Sequence, residues 1–122
     1  QNVHRYFLYL ALLFIVFLTY DAVVSYHFGN EGIHVNVGSL VLTFNTAMLA
    51  SYTLSCHSLR HLVGGRKDEV STSAVRWSCY TACSSMNRRH QLFAWLSLFS
   101  VGFADLYVRL CSMGIWTDYR LL

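Results

Sequence analysis

The sequence predicts an all-α integral membrane protein with three transmembrane helices. Composition is the first reason: 12% of residues are charged and 55% apolar, about half the charge of an average soluble domain (about 25%). The absence of proline from the 122 residues is the second. The third is a set of three apolar stretches, each long enough at 1.5 Å per residue to cross a hydrocarbon core of about 30 Å. One domain covering residues 1–122 accommodates all of them. Disorder, a collagen repeat and a nucleic-acid-binding arm are excluded, since each needs polarity, a glycine period or clustered base. A net charge of +3 spread along the chain gives no reason to expect nucleic acid as a partner. Four cysteines without paired short spacings do not read as a secreted disulfide framework.

The first helix is expected over about residues 6–27. Tyr6 to Tyr26 carries one charge, Asp21, and is too long for the apolar core of a signal peptide. Gly29 to His34 reads as a tight polar turn with two glycines. A second helix is expected over 35–63, its apolar part running uncharged from Val35 to Cys56. The connection 64–87 is long enough for an interfacial helix, with Val70, Ala74 and Trp77 on its apolar side. A third spanning helix is expected over 88–113, holding Asp105 and Arg109. Beginning on Gln1, the sequence reads as a fragment or a processed form, with room for helices upstream.

Basic residues set the expected orientation. Arg5, Arg60, Arg66, Lys67, Arg76, Arg88 and Arg89 lie before the first span or around the 60–90 connection; only Arg109 and Arg120 lie at the other end. The excess of base on cytoplasmic loops then puts the N-terminus and that connection in the cytoplasm, and the C-terminus outside. Trp116 and Tyr119 suit an interfacial aromatic belt there.

The chemistry-bearing residues gather at the predicted cytoplasmic end. In Ser55–Gly65 (SCHSLRHLVGG), His57 and His61 stand four apart and share a helical face. Cys56 would lie about 100° round the same helix from His57, so one centre would not easily use both. The third span opens NRRHQL, which puts His90 at the same depth, with Cys79 and Cys83 just upstream. Imidazole and thiolate are ligands of zinc, haem iron and iron–sulfur clusters. The metal candidates are therefore Cys56, His57, His61, Cys83 and His90, more than one four-ligand centre can use. Two histidines and two cysteines would make a Rieske-type [2Fe–2S] centre; two histidines on facing helices would suit a b haem. A plainer reading treats the histidines as interfacial hydrogen-bonding residues and the cysteines as small hydrophobes.

Arg60, Arg88 and Arg89 face lipid phosphate, dock an acidic soluble partner, or hydrogen-bond a quinone carbonyl, and Ser58 and Tyr80 offer neutral donors for the last task. Asp105 and Arg109, four apart within the third span, are expected to pair and fix helix packing, or to form one step of a proton path. Asp21 and His27 carry the same two readings. Asn45, mid-span, is expected to bond a neighbouring helix.

The segments CHSLRHLVGG, NRRH, AWLSLF and DLYVRLCSMGIWTD together resemble the membrane-anchor (cytochrome b-type) subunit of succinate dehydrogenase and fumarate reductase of the actinobacterial kind. The resemblance runs from about His4 to Asp118. It implies the anchor of respiratory complex II in a bacterial cytoplasmic membrane, serving the respiratory chain and the tricarboxylic acid cycle. Such an anchor docks an iron–sulfur subunit, which carries electrons from a flavoprotein that oxidises succinate, and passes them to menaquinone or ubiquinone. FAD and further iron–sulfur clusters belong to those partner subunits. Within the anchor the resemblance implies a Rieske-type [2Fe–2S] cluster, with haem b as the alternative. One position departs from the pattern: Leu59 stands where a Cys-His-Ser-Cys-Arg-His form has its second cysteine, and Cys83 or Cys79 would have to replace that ligand. Ser58, Arg60, Tyr80 and Arg89 are the expected quinone contacts. No residue of this chain is expected to catalyse succinate oxidation. The rival readings are a non-redox structural or transport subunit and a b-type cytochrome anchor of another dehydrogenase.

Overall fold

The computed structural model describes residues 2–27, 32–64 and 73–122. Five helices follow one another, α1 (Asn2–Ser25), α2 (Val37–Leu54), α3 (His57–Gly64), α4 (Ala74–Asn87) and α5 (His90–Ser112), with no strand among the described residues. Three of them, α1, α2 and α5, are long and apolar enough to cross a membrane. The predicted all-α, three-span architecture is therefore the observed one.

The packing is that of a protein whose solvent is lipid. Buried positions on α2 and α5 are Ser39, Asn45, Thr53, Ser97, Ser100, Ala104 and Tyr107, mostly small or polar. Large apolar side chains such as Phe14, Phe17, Phe44, Phe99 and Phe103 are exposed. Lipid tails give no reason to hide a phenylalanine, whereas small side chains let backbones approach and hydroxyls bond across helices. α2 packs against both α1 and α5. Ser39 Oγ donates to the Ser25 carbonyl at 3.1 Å, tying α2 to α1. Ser100 Oγ donates to Asn45 Oδ1 at 3.2 Å, tying α5 to α2. Asn45 thus acts between helices, as its mid-span position led us to expect.

Three boundaries differ from the expected ones, and each matters for the site. The first helix begins at Asn2, one turn before the apolar run. Hydrogen bonding does not stop where hydropathy does, and this extension puts His4 on the helix. The stretch 35–63 is two helices, because α2 ends at Leu54 and α3 starts at His57. Ser55 Oγ donates to the Tyr52 carbonyl at 2.7 Å, and Asn87 Nδ2 of α4 donates to the Ser55 carbonyl at 2.8 Å. A side-chain hydroxyl competing for the backbone, plus a carbonyl diverted to a distant amide, ends the helix there. The 64–87 connection contains α4, which packs on α3. Its buried residue is Cys83, while Ala74 and Trp77 are exposed; Val70 lies outside the described residues, as do 29–31 of the predicted turn.

The opposite end is tied by the C-terminal segment. Gly114, at φ 74°, ends α5, with Ile115 N–H bonded to the Leu110 carbonyl and Gly114 N–H to that of Cys111. Such a left-handed residue costs glycine least. The chain then returns to α2. Val37 N–H donates to the Tyr119 carbonyl at 3.1 Å, Leu121 N–H to the Val35 carbonyl at 2.7 Å, and Asn36 pairs with Arg120 in an antiparallel bridge. Asn36 makes no side-chain cap bond of its own. Asp118 Oδ1 replaces it, accepting from the Gly38 N–H at 2.9 Å and from Tyr107 Oη at 3.0 Å. A Cβ at Gly38 would sit 2.9 Å from Asp118 Oδ2, so glycine leaves the carboxylate its room.

Candidate functional site

The break between α2 and α3 brings the first turn of α1, the end of α2 and the start of α5 to one place. His4 Nε2 lies 3.0 Å from Cys56 Sγ. With His57 they form a group in which each residue offers one ligand atom, all within 4.8 Å of one another. The His4 and His57 rings stack at 5.3 Å and 10°. On one continuous helix Cys56 and His57 would diverge by about 100°. Here Cys56 is a non-helical residue, so that geometric objection falls and the two side chains converge.

His90 lines the cavity beside this group. The cavity holds about 70 Å³ and is walled by His4, Leu8, Tyr52, Thr53, Cys56 and His90 among others. The His90 ring stacks on Tyr52 at 4.9 Å, and its Nδ1 lies 2.7 Å from Ser55 Oγ. Ser55 has one hydroxyl proton, already given to the Tyr52 carbonyl. His90 Nδ1 is therefore the donor in this contact, and the lone pair of its neutral ring sits on Nε2. Ser55 is fully buried.

The remaining candidates are more dispersed. His61 meets His57 edge-on at 6.0 Å but is not in the close group. Cys83 is buried on α4 and likewise not in that group. Burial first, and then the neighbouring Cys79, push its thiol above the ordinary value, which keeps it a neutral small hydrophobe. Arg60 and Tyr80 come together, the guanidinium carbon 5.3 Å from the ring centroid. Ser58 is buried on α3. Arg89 lines a different, open cleft of about 610 Å³ with Ser85, Met86, Arg88 and Phe93. In the span, Arg109 Nε donates to Asp105 Oδ2 at 2.9 Å. The pair forms as expected, yet both side chains are exposed on the outside of the bundle, so it does not fix the packing of these helices.

His4 is the residue that sequence reasoning missed. It precedes the apolar run and belongs to no short motif, so the only signal was its place beside Arg5 at the basic end of the first span. Ser55, Tyr52 and Asn87, which hold the break and orient His90, carried none.

The cavity beside the group is half open and holds about 70 Å³ among the described residues. Two imidazoles and one thiolate match three of the four ligands of a Rieske-type cluster. A second thiolate is not in the group.

The family described as actinobacterial succinate dehydrogenase subunit SdhC matches residues 1–114. The chain belongs to that family. A chain of the Mycobacterium smegmatis Sdh1 complex in the apo form has a similar structure, with a TM-score of 0.90 and 42% sequence identity. The match covers all of this chain and 46% of that one, so this chain spans less than half the length of that relative. No curated protein matches the sequence. The family match includes the convergent residues His4, Cys56, His57 and His90, and stops short of Asp118.

Proposed function

We propose that this SdhC-family chain is the membrane anchor of a succinate:quinone oxidoreductase in a bacterial cytoplasmic membrane. It docks the iron–sulfur subunit at its basic end, which faces the cytoplasm, and delivers electrons from succinate to menaquinone or ubiquinone. The observation that carries the reading is the approach of His4 Nε2 to Cys56 Sγ at 3.0 Å, with His57 alongside. Soft and borderline donors gathered where three helix ends meet suit a redox metal better than a packing contact.

His4, Cys56 and His57 would hold the metal. His4, His57 and Cys56 would be three of the four ligands of a Rieske-type centre, and the fourth would be a thiolate from beyond this group. Such a centre supplies one-electron transfer. The chain's own residues do the rest. Ser55 and Tyr52 fix the His90 ring, so that its Nε2 lone pair is available to a proton donor or acceptor at the cavity. Arg89, lining the 610 Å³ cleft, stabilises negative charge on a quinone oxygen as reduction proceeds. Arg60, held against Tyr80, and Ser58 serve the same end from α3. Protons for the quinol enter from the nearby aqueous side.

The test uses the purified complex, with iron and acid-labile sulfide assayed beside low-temperature EPR after reduction by succinate. His57→Ala and Cys56→Ser are expected to remove one iron–sulfur signal and quinone reduction, while dye-linked succinate oxidation persists. Unchanged quinone reduction in both variants refutes the redox assignment. Loss of turnover with zinc in place of iron overturns the cluster and leaves a structural metal.

A further inference from the structure

Ser55 takes both its distant partners from one corner of the fold. Asn87 Nδ2 donates to its carbonyl at 2.8 Å, and His90 Nδ1 lies 2.7 Å from its Oγ. Asn87 ends α4 and His90 begins α5, so both belong to the short junction between those helices. They alternate there with residues of another part of the structure. Met86, Arg88 and Arg89 line the 610 Å³ cleft, with Ser85 before them and Phe93 one turn later. One side of the junction thus walls the cleft, and the other holds the residue that precedes Cys56.

The junction is suited to carry a displacement rather than absorb it. Residues 85–93 contain no glycine. The turn is closed by Arg89 N–H on the Met86 carbonyl at 2.9 Å and by Phe93 N–H on the Arg89 carbonyl at 3.0 Å. Across the contact, Ser55 is fully buried, and Cys56 Sγ approaches His4 Nε2 at 3.0 Å. In a continuous helix the Ser55 carbonyl would take the Leu59 N–H. It takes the Asn87 amide instead, which leaves Cys56 outside either helix and grouped with His4 and His57.

We infer that Asn87 is a positioning residue that couples the cleft to the metal group, with the quinone and metal assignments proposed for this chain as its basis. A quinone held by Arg89 fixes the junction, the Asn87 amide fixes the Ser55 carbonyl, and the carbonyl fixes where Cys56 places its sulfur. Such coupling is reciprocal: the factor by which an occupied cleft favours one redox state of the centre is the factor by which that state favours occupancy. Asn87 touches neither the metal group nor the cleft, so its part is played wholly through Ser55.

The experiment uses the purified complex and a redox-inert quinone analogue, 2-heptyl-4-hydroxyquinoline N-oxide, whose binding is followed by its fluorescence. The signal observed is the EPR signal of the succinate-reduced complex that His57→Ala removes. In the wild type the bound analogue is expected to shift that signal. Asn87→Asp keeps the size of the side chain and removes the donor; it is expected to bind the analogue and show no shift. A shift that persists in Asn87→Asp overturns the proposal, as does a wild-type signal indifferent to the bound analogue. If the wild type fails to bind the analogue, or has no signal that His57→Ala removes, the quinone or metal assignment fails first and takes the proposal with it. Hydrogen exchange decides the case in which Asn87→Asp holds no metal. The freed Ser55 carbonyl then takes the Leu59 N–H, so exchange at Leu59 should be about fivefold slower than in His57→Ala, which is metal-free for a different reason. A corner that had merely loosened would exchange faster. Equal or faster exchange at Leu59 overturns the role given to Asn87.

Discussion

Replacing Ser55 by alanine tests the device that builds the site. The hydroxyl donates to the Tyr52 carbonyl and accepts from His90 Nδ1, both at 2.7 Å, in a fully buried position. Each net hydrogen bond contributes about 1 kcal/mol, and a donor left without a partner in the interior costs about 1–3 kcal/mol. His90 avoids part of that penalty by moving its proton to Nε2, so the expected loss is about 2–3 kcal/mol. That tautomer change also removes the Nε2 lone pair from the cavity. SDS-induced unfolding in mixed micelles reads the stability. A cycle with His90→Phe should show coupling of about 1 kcal/mol, since only the shared bond is lost twice. Hydrogen exchange at residues 55 and 56 should slow, because freeing the Tyr52 carbonyl lets α2 run on towards α3. A loss below 0.5 kcal/mol, or additivity within about 0.3–0.5 kcal/mol, would refute the role given to Ser55.

Two further outcomes follow from the same structure. Asp118→Ala removes the acceptor for the Gly38 N–H and Tyr107 Oη; a lost cap costs about 1 kcal/mol and a charge-assisted bond somewhat more, so amide exchange at Gly38 should accelerate about 5–30-fold. Cys83, with its thiol pushed up by burial and by Cys79, carries less thiolate at a given pH; iodoacetamide should modify exposed Cys79 first, and the rate at Cys83 should still be rising with pH beyond the ordinary thiol range.

The spans were legible because a bilayer imposes a length and makes charge costly, and both are written in consecutive residues. The break at Ser55 was not, because it depends on Asn87, 32 residues away, taking a backbone carbonyl. That break misdirected the site reading, since a continuous helix separates Cys56 from His57 and the real chain joins them. His4 was hidden by the same limit: hydropathy marks where lipid begins, whereas the helix starts a turn earlier. The Asp105–Arg109 bond was readable from its spacing of four, but which way it faces depends on which side of α5 meets α2, and small residues on both sides leave that open in the sequence.

The return of the C-terminal segment to α2 has a consequence for biogenesis. The amide of Gly38 and the carboxylate that receives it are separated by 80 residues of chain. At a synthesis rate of roughly 5–20 residues per second, α2 waits about 4–16 s after its first turn is made before Asp118 exists. During that interval α1 and α2 can insert and pair, yet the start of α2 lacks its carboxylate partner and Val35 its backbone partner at Leu121. Residues 118–122, made about 80 residues after Gly38, therefore act as a clasp that can close only when α5 has crossed in the right sense. A chain whose third span inserts backwards delivers Asp118 to the wrong side of the bilayer, leaves α2 frayed, and presents itself to membrane quality control as unfinished.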